Sequence, residues 1–203
     1  MDAKQTAFIA MMSSLGIVLS LISLNVAPPL IAIPGQGVAA PDLSHVATFV
    51  AAIFGGPFVG AVVGFLGGVY AGYYFGYAVT GGLGLLSLIG LPLGKAMTGL
   101  LAGFLYKKLK VGTTSKHPIL AVPLTLVSYI PESIYTVLYF LYLVTWFGGP
   151  VMAALIPFVI PKGWIEVALM SLIMGTLAGN MGFREFITRL FPLKMGKAQN
   201  SMK

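Results

Sequence analysis

The stretch from Gly84 to Lys110, GLLSLIGLPLGKAMTGLLAGFLYKKLK, constrains the fold more than any other. Its apolar run is long enough to cross a bilayer. It carries one lysine, Lys95, about halfway along, and it closes on Lys107, Lys108 and Lys110. By the positive-inside rule those closing lysines mark the cytoplasmic end. Lys95 lies about 16 Å into the helix at ~1.5 Å per residue, near mid-bilayer. That is too deep for easy snorkelling. An ionised side chain at this depth costs at least ~2.5–3.5 kcal/mol on insertion scales, so it has to face protein or a wet cavity. Gly94-Lys95 is not a phosphate-binding loop, because Ile89 and Ala96 stand where that motif needs Gly and Ser or Thr.

The same solvent argument applies to the whole chain. Charged residues make up 8% of it and hydrophobic residues 58%, against about 25% charged in a soluble domain. A soluble fold of this composition would carry an apolar surface and aggregate. The expected class is an all-α integral membrane protein in one membrane domain spanning residues 1–203. The absence of cysteine excludes thiol chemistry and cysteine-ligated metals. The net charge of +7 is read as basic cytoplasmic segments rather than nucleic-acid binding.

Six spans are expected, approximately 5–26, 43–54, 58–79, 84–106, 118–147 and 164–183, with both termini cytoplasmic. The first carries Ala3, Ala7, Ala10 and Ser14 on one face. Such a small-residue stripe lets another helix approach closely, inside this chain or on a separate subunit. Pro28, Pro29, Pro34 and Pro41 then break the helix, and the apolar loop they punctuate is expected to fold over a membrane cavity. Asp42 and Ser44 are candidate N-caps of the next helix, and His45 follows at its outer end. Gly55-Gly56-Pro57 turns the chain. Gly60, Gly64, Gly68, Gly72 and Gly76 then form a ladder suited to close helix packing. Tyr73, Tyr74 and Tyr77 fall where an aromatic belt would sit.

In the fifth span, Pro123 and Pro131 are expected to bend the helix. Ser128, Glu132, Tyr135 and Tyr139 share one face by helical spacing, the pattern of a cavity lining. Residues 148–163 read as the last outer connection, with a short re-entrant piece around 152–160. Glu166 near the outer end of the sixth span is either a charge favourable to the helix dipole or a ligand contact. Trp146 and Trp164 mark the outer interface. Counting basic residues by segment leaves only Lys162 outside, which supports the orientation.

Lys95, Glu132 and Glu166 are the interior or near-interior charges, and they sit on three different helices. A buried Lys–Glu pair is tolerated where a lone charge is not. Either Lys95 and Glu132 pair to fix packing, or they offer hydrogen bonds to a polar ligand that the tyrosines stack on. A metal site from Asp42 and His45 alone lacks ligands. His45 and His117 fall at opposite membrane surfaces, so no Ser–His dyad is visible and an enzyme is not expected. A stand-alone proton-coupled secondary transporter, with Glu132 and Lys95 relaying protons, remains open.

The segments DLSHVATFVAAIFGGPFVGAVVGFLGG (Asp42 to Gly68) and GKAMTGLLAGFLYKKLK (Gly94 to Lys110) resemble the substrate-binding S components of energy-coupling factor (ECF) transporters. The layout, length and alanine stripe fit too. The resemblance implies a multi-pass protein of the cell membrane that captures a vitamin or related micronutrient. It implies a transmembrane coupling subunit and two cytoplasmic ATPases as partners, with no cofactor in this chain because the partners hydrolyse ATP. The Ala3, Ala7, Ala10 and Ser14 face would dock the coupling subunit. Lys95, Glu132, Glu166, Ser128, Tyr135 and Tyr139, with Asp42, His45 and Trp164 from the outer end, would bind substrate. Metal-transporting relatives usually begin with a His-rich amino terminus; this chain begins MDAKQ, so a metal substrate is not expected.

Overall fold

Apolar runs in this chain are far longer than a soluble core needs, and they form long helices. The structure is a computed structural model that describes residues 3–27, 31–33, 37–78, 83–111, 118–148 and 150–190. Helix α1 is Ala3–Val26, and a short antiparallel pair, β1 (Ile31–Ile33) with β2 (Gly37–Ala39), follows it. Helix α2 is Ser44–Gly67, α3 is Val69–Tyr73 continuing as a wider π turn over Tyr74–Ala78, and α4 is Leu85–Lys108. Helices α5 (Ala121–Ser128), α6 (Ile130–Leu138) and α7 (Thr145–Gly148) form one long run, with a second π turn at Tyr139–Val144. Helix α8 is Ile156–Gly179 and α9 is Met181–Leu190. The expected positions of His117, Lys116, Pro28, Pro29, Pro34 and the basic tail beyond 190 lie outside the described residues.

Among the described residues, five helical runs are long and apolar enough to cross a membrane: Ala3–Val26, Ser44–Ala78, Leu85–Lys108, Pro118–Phe147 and Ala153–Gly179. The second is folded in two. Gly56 has φ 82° and ψ −170°, a conformation glycine adopts without a Cβ penalty, and Pro57 follows it. Either side of it the chain runs antiparallel. A Cβ on Gly60 would lie 2.9 Å from the Cβ of Ala52, and one on Gly64 would lie 3.1 Å from Thr48. The expected turn at Gly55-Gly56-Pro57 is therefore present, with limbs 44–55 and 57–67.

The glycine ladder explains how the second limb packs. A Cβ at Gly60 would stand 2.5 Å from the carbonyl oxygen of Gly99, one at Gly64 2.5 Å from that of Lys95, and one at Gly72 2.7 Å from that of Ser87. Backbone meets backbone, which only glycine permits. The contacts pair successive ladder rungs with successively earlier residues of α4, so the two helices are antiparallel. Helix α1 closes the other side, where Gly16 meets Gly67 and Ala47.

These contacts fix depth. Lys95 is near the middle of the 24-residue α4, level with Gly64. Gly103, near the lysine-rich end, lies against Gly56 and Pro57. Limb 44–55 therefore starts at mid-depth and ends at the basic end. Its length is about 18 Å at ~1.5 Å per residue, short of the ~30 Å of a bilayer core. The chain between α1 and α2 must descend to mid-membrane to begin it. The expectation that His45 lies at the outer end is thus corrected: His45 is buried at the level of Lys95.

Three further boundaries differ from expectation. Helix α8 begins at Ile156 rather than near Trp164, so the 152–160 segment is not a separate re-entrant piece. Pro157 sits in the first turn, where a missing N–H costs nothing. Lys162 therefore lies inside a helix and is buried, not in an outer connection. The last span ends at Gly179, and Asn180 starts α9 by accepting the Phe183 N–H. The bend expected from Pro131 occurs at Tyr129, whose N–H bonds to Leu126 in a tightened turn.

The core is assembled from Phe8 and Met12 of α1, Phe49, Val59 and Val63 of α2, Tyr106 of α4, and Met170 and Met174 of α8. Large apolar side chains such as Val18, Ile22, Leu100, Phe104, Leu169 and Leu172 face outward. Polar groups are buried instead, which is the distribution expected when lipid is the solvent.

Candidate functional site

Helix α4 brings Lys95 to the protein interior, 5% exposed. Its hydrogen-bond partners there do not include Glu132. The Lys95 ammonium donates to the carboxylate of Asp42 and to the hydroxyl of Ser44. Asp42 also accepts the Ser44 N–H at 3.0 Å, but the N-cap of α2 is Leu43 and has no side-chain cap, so neither Asp42 nor Ser44 is the cap that was expected. The Lys95 ammonium supplies the countercharge that a buried carboxylate needs. Of the two alternatives left open for Lys95 and Glu132, direct pairing with each other is not what the structure shows: the partner of Lys95 is Asp42. The reason is the descent of the chain ahead of α2, which delivers an acid to mid-depth.

Glu132 has its own partners. It meets His45 Nε2 at 2.9 Å and accepts the Thr98 hydroxyl at 2.5 Å. With Glu132 as a carboxylate, the proton in that contact is on His45 Nε2. His45 Nδ1 is buried and has no partner among the described residues. Glu166 accepts from Lys162 at 2.6 Å, one helical turn away on α8, and from the backbone N–H of Asp42 at 2.7 Å. The Asp42 peptide thus joins the two carboxylate–lysine pairs, and His45, three residues on, extends the group to Glu132.

Aromatic side chains enclose this polar group. The Tyr129 ring stands edge-on to His45 at 6.2 Å and to Trp164 at 5.2 Å. Gly163 makes room for it: a Cβ there would sit 1.9 Å from the Tyr129 hydroxyl. Trp164 donates to Ser133. Tyr135 and Tyr139 stack at 5.6 Å, Tyr135 against Gly94 and Tyr139 against Gly90. The Tyr139 hydroxyl is buried and has no partner among the described residues. Lys162 lies 5.8 Å from the ring centre of Phe75, in the first π turn. Both π turns therefore flank the site, where such widened turns often occur.

Of the residues expected from sequence, Asp42, His45, Lys95, Glu132 and Glu166 converge, and Tyr135, Tyr139 and Trp164 border them. Ser128 does not join them: its hydroxyl donates to the Thr125 carbonyl of its own helix. Ser44, Thr98, Lys162 and Tyr129 were not anticipated as contacts. Lys162 was recoverable from its i, i+4 spacing to Glu166; Thr98 was recoverable from its position one turn beyond Lys95. Ala3, Ala7, Ala10 and Ser14 are all exposed, and the opposite face of α1, with Phe8, Met12 and Gly16, is buried.

The family model described as "ECF transporter, substrate-specific component" matches residues 4–178. No curated protein matches. Among solved structures, the chain is similar to the S-component for biotin from an ECF-type ABC transporter. The TM-score is 0.55 at 22% identity, covering 90% of this chain and 95% of that one. That likeness speaks to the fold. With the family model spanning nearly the whole chain and the folds agreeing, the protein belongs to the substrate-specific components of ECF transporters.

Proposed function

We propose that this chain captures a vitamin or related small polar, ring-containing micronutrient, and that the capture site is the buried group around Asp42, His45, Lys95, Glu132 and Glu166. One observation carries the reading. Six ionisable side chains from four segments meet at mid-depth in an otherwise apolar bundle, at a desolvation cost that packing alone does not require. Intramembrane charges of this kind mark substrate pathways. A half-length helix beginning at the site is also how membrane transporters present polar backbone to a solute. The biotin S-component among the structural relatives supports the vitamin class.

The protein sits in the cell membrane with six spans, counting limb 44–55 as one, and both termini cytoplasmic, since the lysines and arginines gather at that end. It is a binding subunit and not an enzyme, and it needs no cofactor of its own. A transmembrane coupling subunit docks on the exposed stripe of Ala3, Ala7, Ala10 and Ser14, where small side chains allow close approach. Two cytoplasmic ATPases supply the energy.

The test is uptake of the small molecule that co-purifies with the protein, in vesicles holding this chain with or without the coupling subunit and ATPases. The expected result is binding by the chain alone and accumulation only with the partners and ATP. Accumulation by the chain alone, driven by a proton gradient, would instead establish the stand-alone proton-coupled transporter.

A further inference from the structure

The last described helix lies beyond the part of the chain that the family model matches. That match ends at residue 178, and α9, Met181–Leu190, begins after the last span has ended at Gly179. Asn180 between them is extended, at φ −79° and ψ 110°, and its side chain accepts the Phe183 N–H. Helix α9 is therefore a new helix and not a continuation of α8. Its 10 residues make about 15 Å at ~1.5 Å per residue, half of the ~30 Å core of a bilayer. It does not cross.

Its depth is fixed by what it packs on. Phe183 meets Phe54 edge-on at 5.9 Å, and Ile187, one turn further, is buried in the core. Phe54 directly precedes the Gly55-Gly56-Pro57 turn, which lies against Gly103. Gly103 is one turn ahead of the exposed Lys107 and Lys108. Helix α9 thus lies along the lysine-bearing end of the bundle, at the level where acyl chains give way to headgroups.

At about 100° per residue, Phe183, Phe186 and Ile187 share one arc of α9, and Arg184, Glu185, Thr188 and Arg189 share the other. The protein covers only part of the apolar arc. Phe183 and Ile187 turn inward, while Phe186 is 57% exposed. Arg189 lies on the same outward side as Phe186, about 60° from it round the helix. Its side chain is 83% exposed and 3.6 Å from Glu185. Among the described residues at this end, Lys107, Lys108, Arg184 and Arg189 stand against one acid, Glu185. An uncovered phenyl ring beside an exposed guanidinium, in a basic setting, matches a surface that is apolar below and anionic above.

We propose that α9 is a binding surface for anionic phospholipid. It lies in the plane of the leaflet at the lysine-bearing end, with Phe186 in the acyl boundary and Arg189 on the headgroup phosphate. Glu185 does not block this contact. An exposed i, i+4 pair is weak, and a guanidinium has five N–H donors, enough to take a phosphate alongside the carboxylate.

The chain has no cysteine, so Phe186→Cys carries a single bimane label. The full chain is placed in nanodiscs containing acyl-brominated phosphatidylglycerol or acyl-brominated phosphatidylcholine at equal fractions, and iodide reports contact with water. Leu172→Cys, on the outward face of α8, and Thr188→Cys, on the polar arc of α9, serve as lipid and water references. The label at 186 should be quenched by brominated lipid and shielded from iodide relative to 188. Phosphatidylglycerol should quench it more than phosphatidylcholine, whereas the two should act equally at 172. The preference for phosphatidylglycerol should fall by up to about fivefold in Arg189→Gln, and shrink at about 1 M salt, where the screening length is ~3 Å. Iodide quenching at 186 equal to that at 188, equal quenching by the two lipids, or a preference unchanged in Arg189→Gln overturns the proposal. Iodide quenching that disappears only when the coupling subunit and ATPases are added also overturns it, and assigns this face to a protein partner.

Discussion

Lys95→Met removes the ammonium and keeps most of the stem that packs beside Gly68. It leaves the Asp42 carboxylate, 4% exposed, without its cation. Breaking a buried pair this way costs about 3–5 kcal/mol, because the remaining charge is stranded. Asp42→Asn strands the lysine at a similar cost. The double variant strands neither, so it should be more stable than the sum of the singles predicts, by roughly 2–3 kcal/mol of coupling. Equilibrium unfolding in mixed micelles, followed by circular dichroism, measures all four corners of the cycle. A parallel cycle of Lys95→Met with Glu132→Gln should show coupling smaller by at least about 1 kcal/mol, since Glu132 has His45 and Thr98 as direct partners. Additive effects at Asp42 and Lys95, or stronger coupling to Glu132, would refute the pairing and the mid-depth position of Asp42.

Gly64→Ala places a Cβ 2.5 Å from the Lys95 carbonyl oxygen and should cost about 1–3 kcal/mol by forcing α2 from α4, whereas Gly182→Ala on α9, with nothing nearer than 3.4 Å, should be close to neutral in the same unfolding assay. Ala7→Trp on the exposed face of α1 should leave ligand binding intact and abolish ATP-driven uptake; equal loss of both would mean that face packs within the chain.

The parts of this fold that follow from local chemistry were legible in the sequence. Gly55-Gly56-Pro57 can only turn, the glycine ladder can only pack closely, and Lys95, Glu132 and Glu166 could not face lipid. The partners of those charges were not legible, because they depend on depth. Nothing in the loop composition says that the chain after α1 descends far enough to put Asp42 and His45 beside Lys95 and Glu132. Lys162 was misplaced for a related reason. Residues 148–163 read as an outer connection, yet Pro157 occupies a helix start and α8 continues through Pro161. On the stripe of residues 128–139 the chain tightens at Tyr129, and the Ser128 hydroxyl donates to the Thr125 carbonyl of its own helix rather than to the charged group.

The central claim is that the charged group at mid-depth holds the captured solute. Native mass spectrometry of the protein released from mild detergent, without ATP, tests it most directly. The account predicts one small-molecule adduct on the native chain, and its loss from the Asp42→Asn, Lys95→Met double variant at unchanged helical content. An adduct retained at full occupancy by that variant would contradict it.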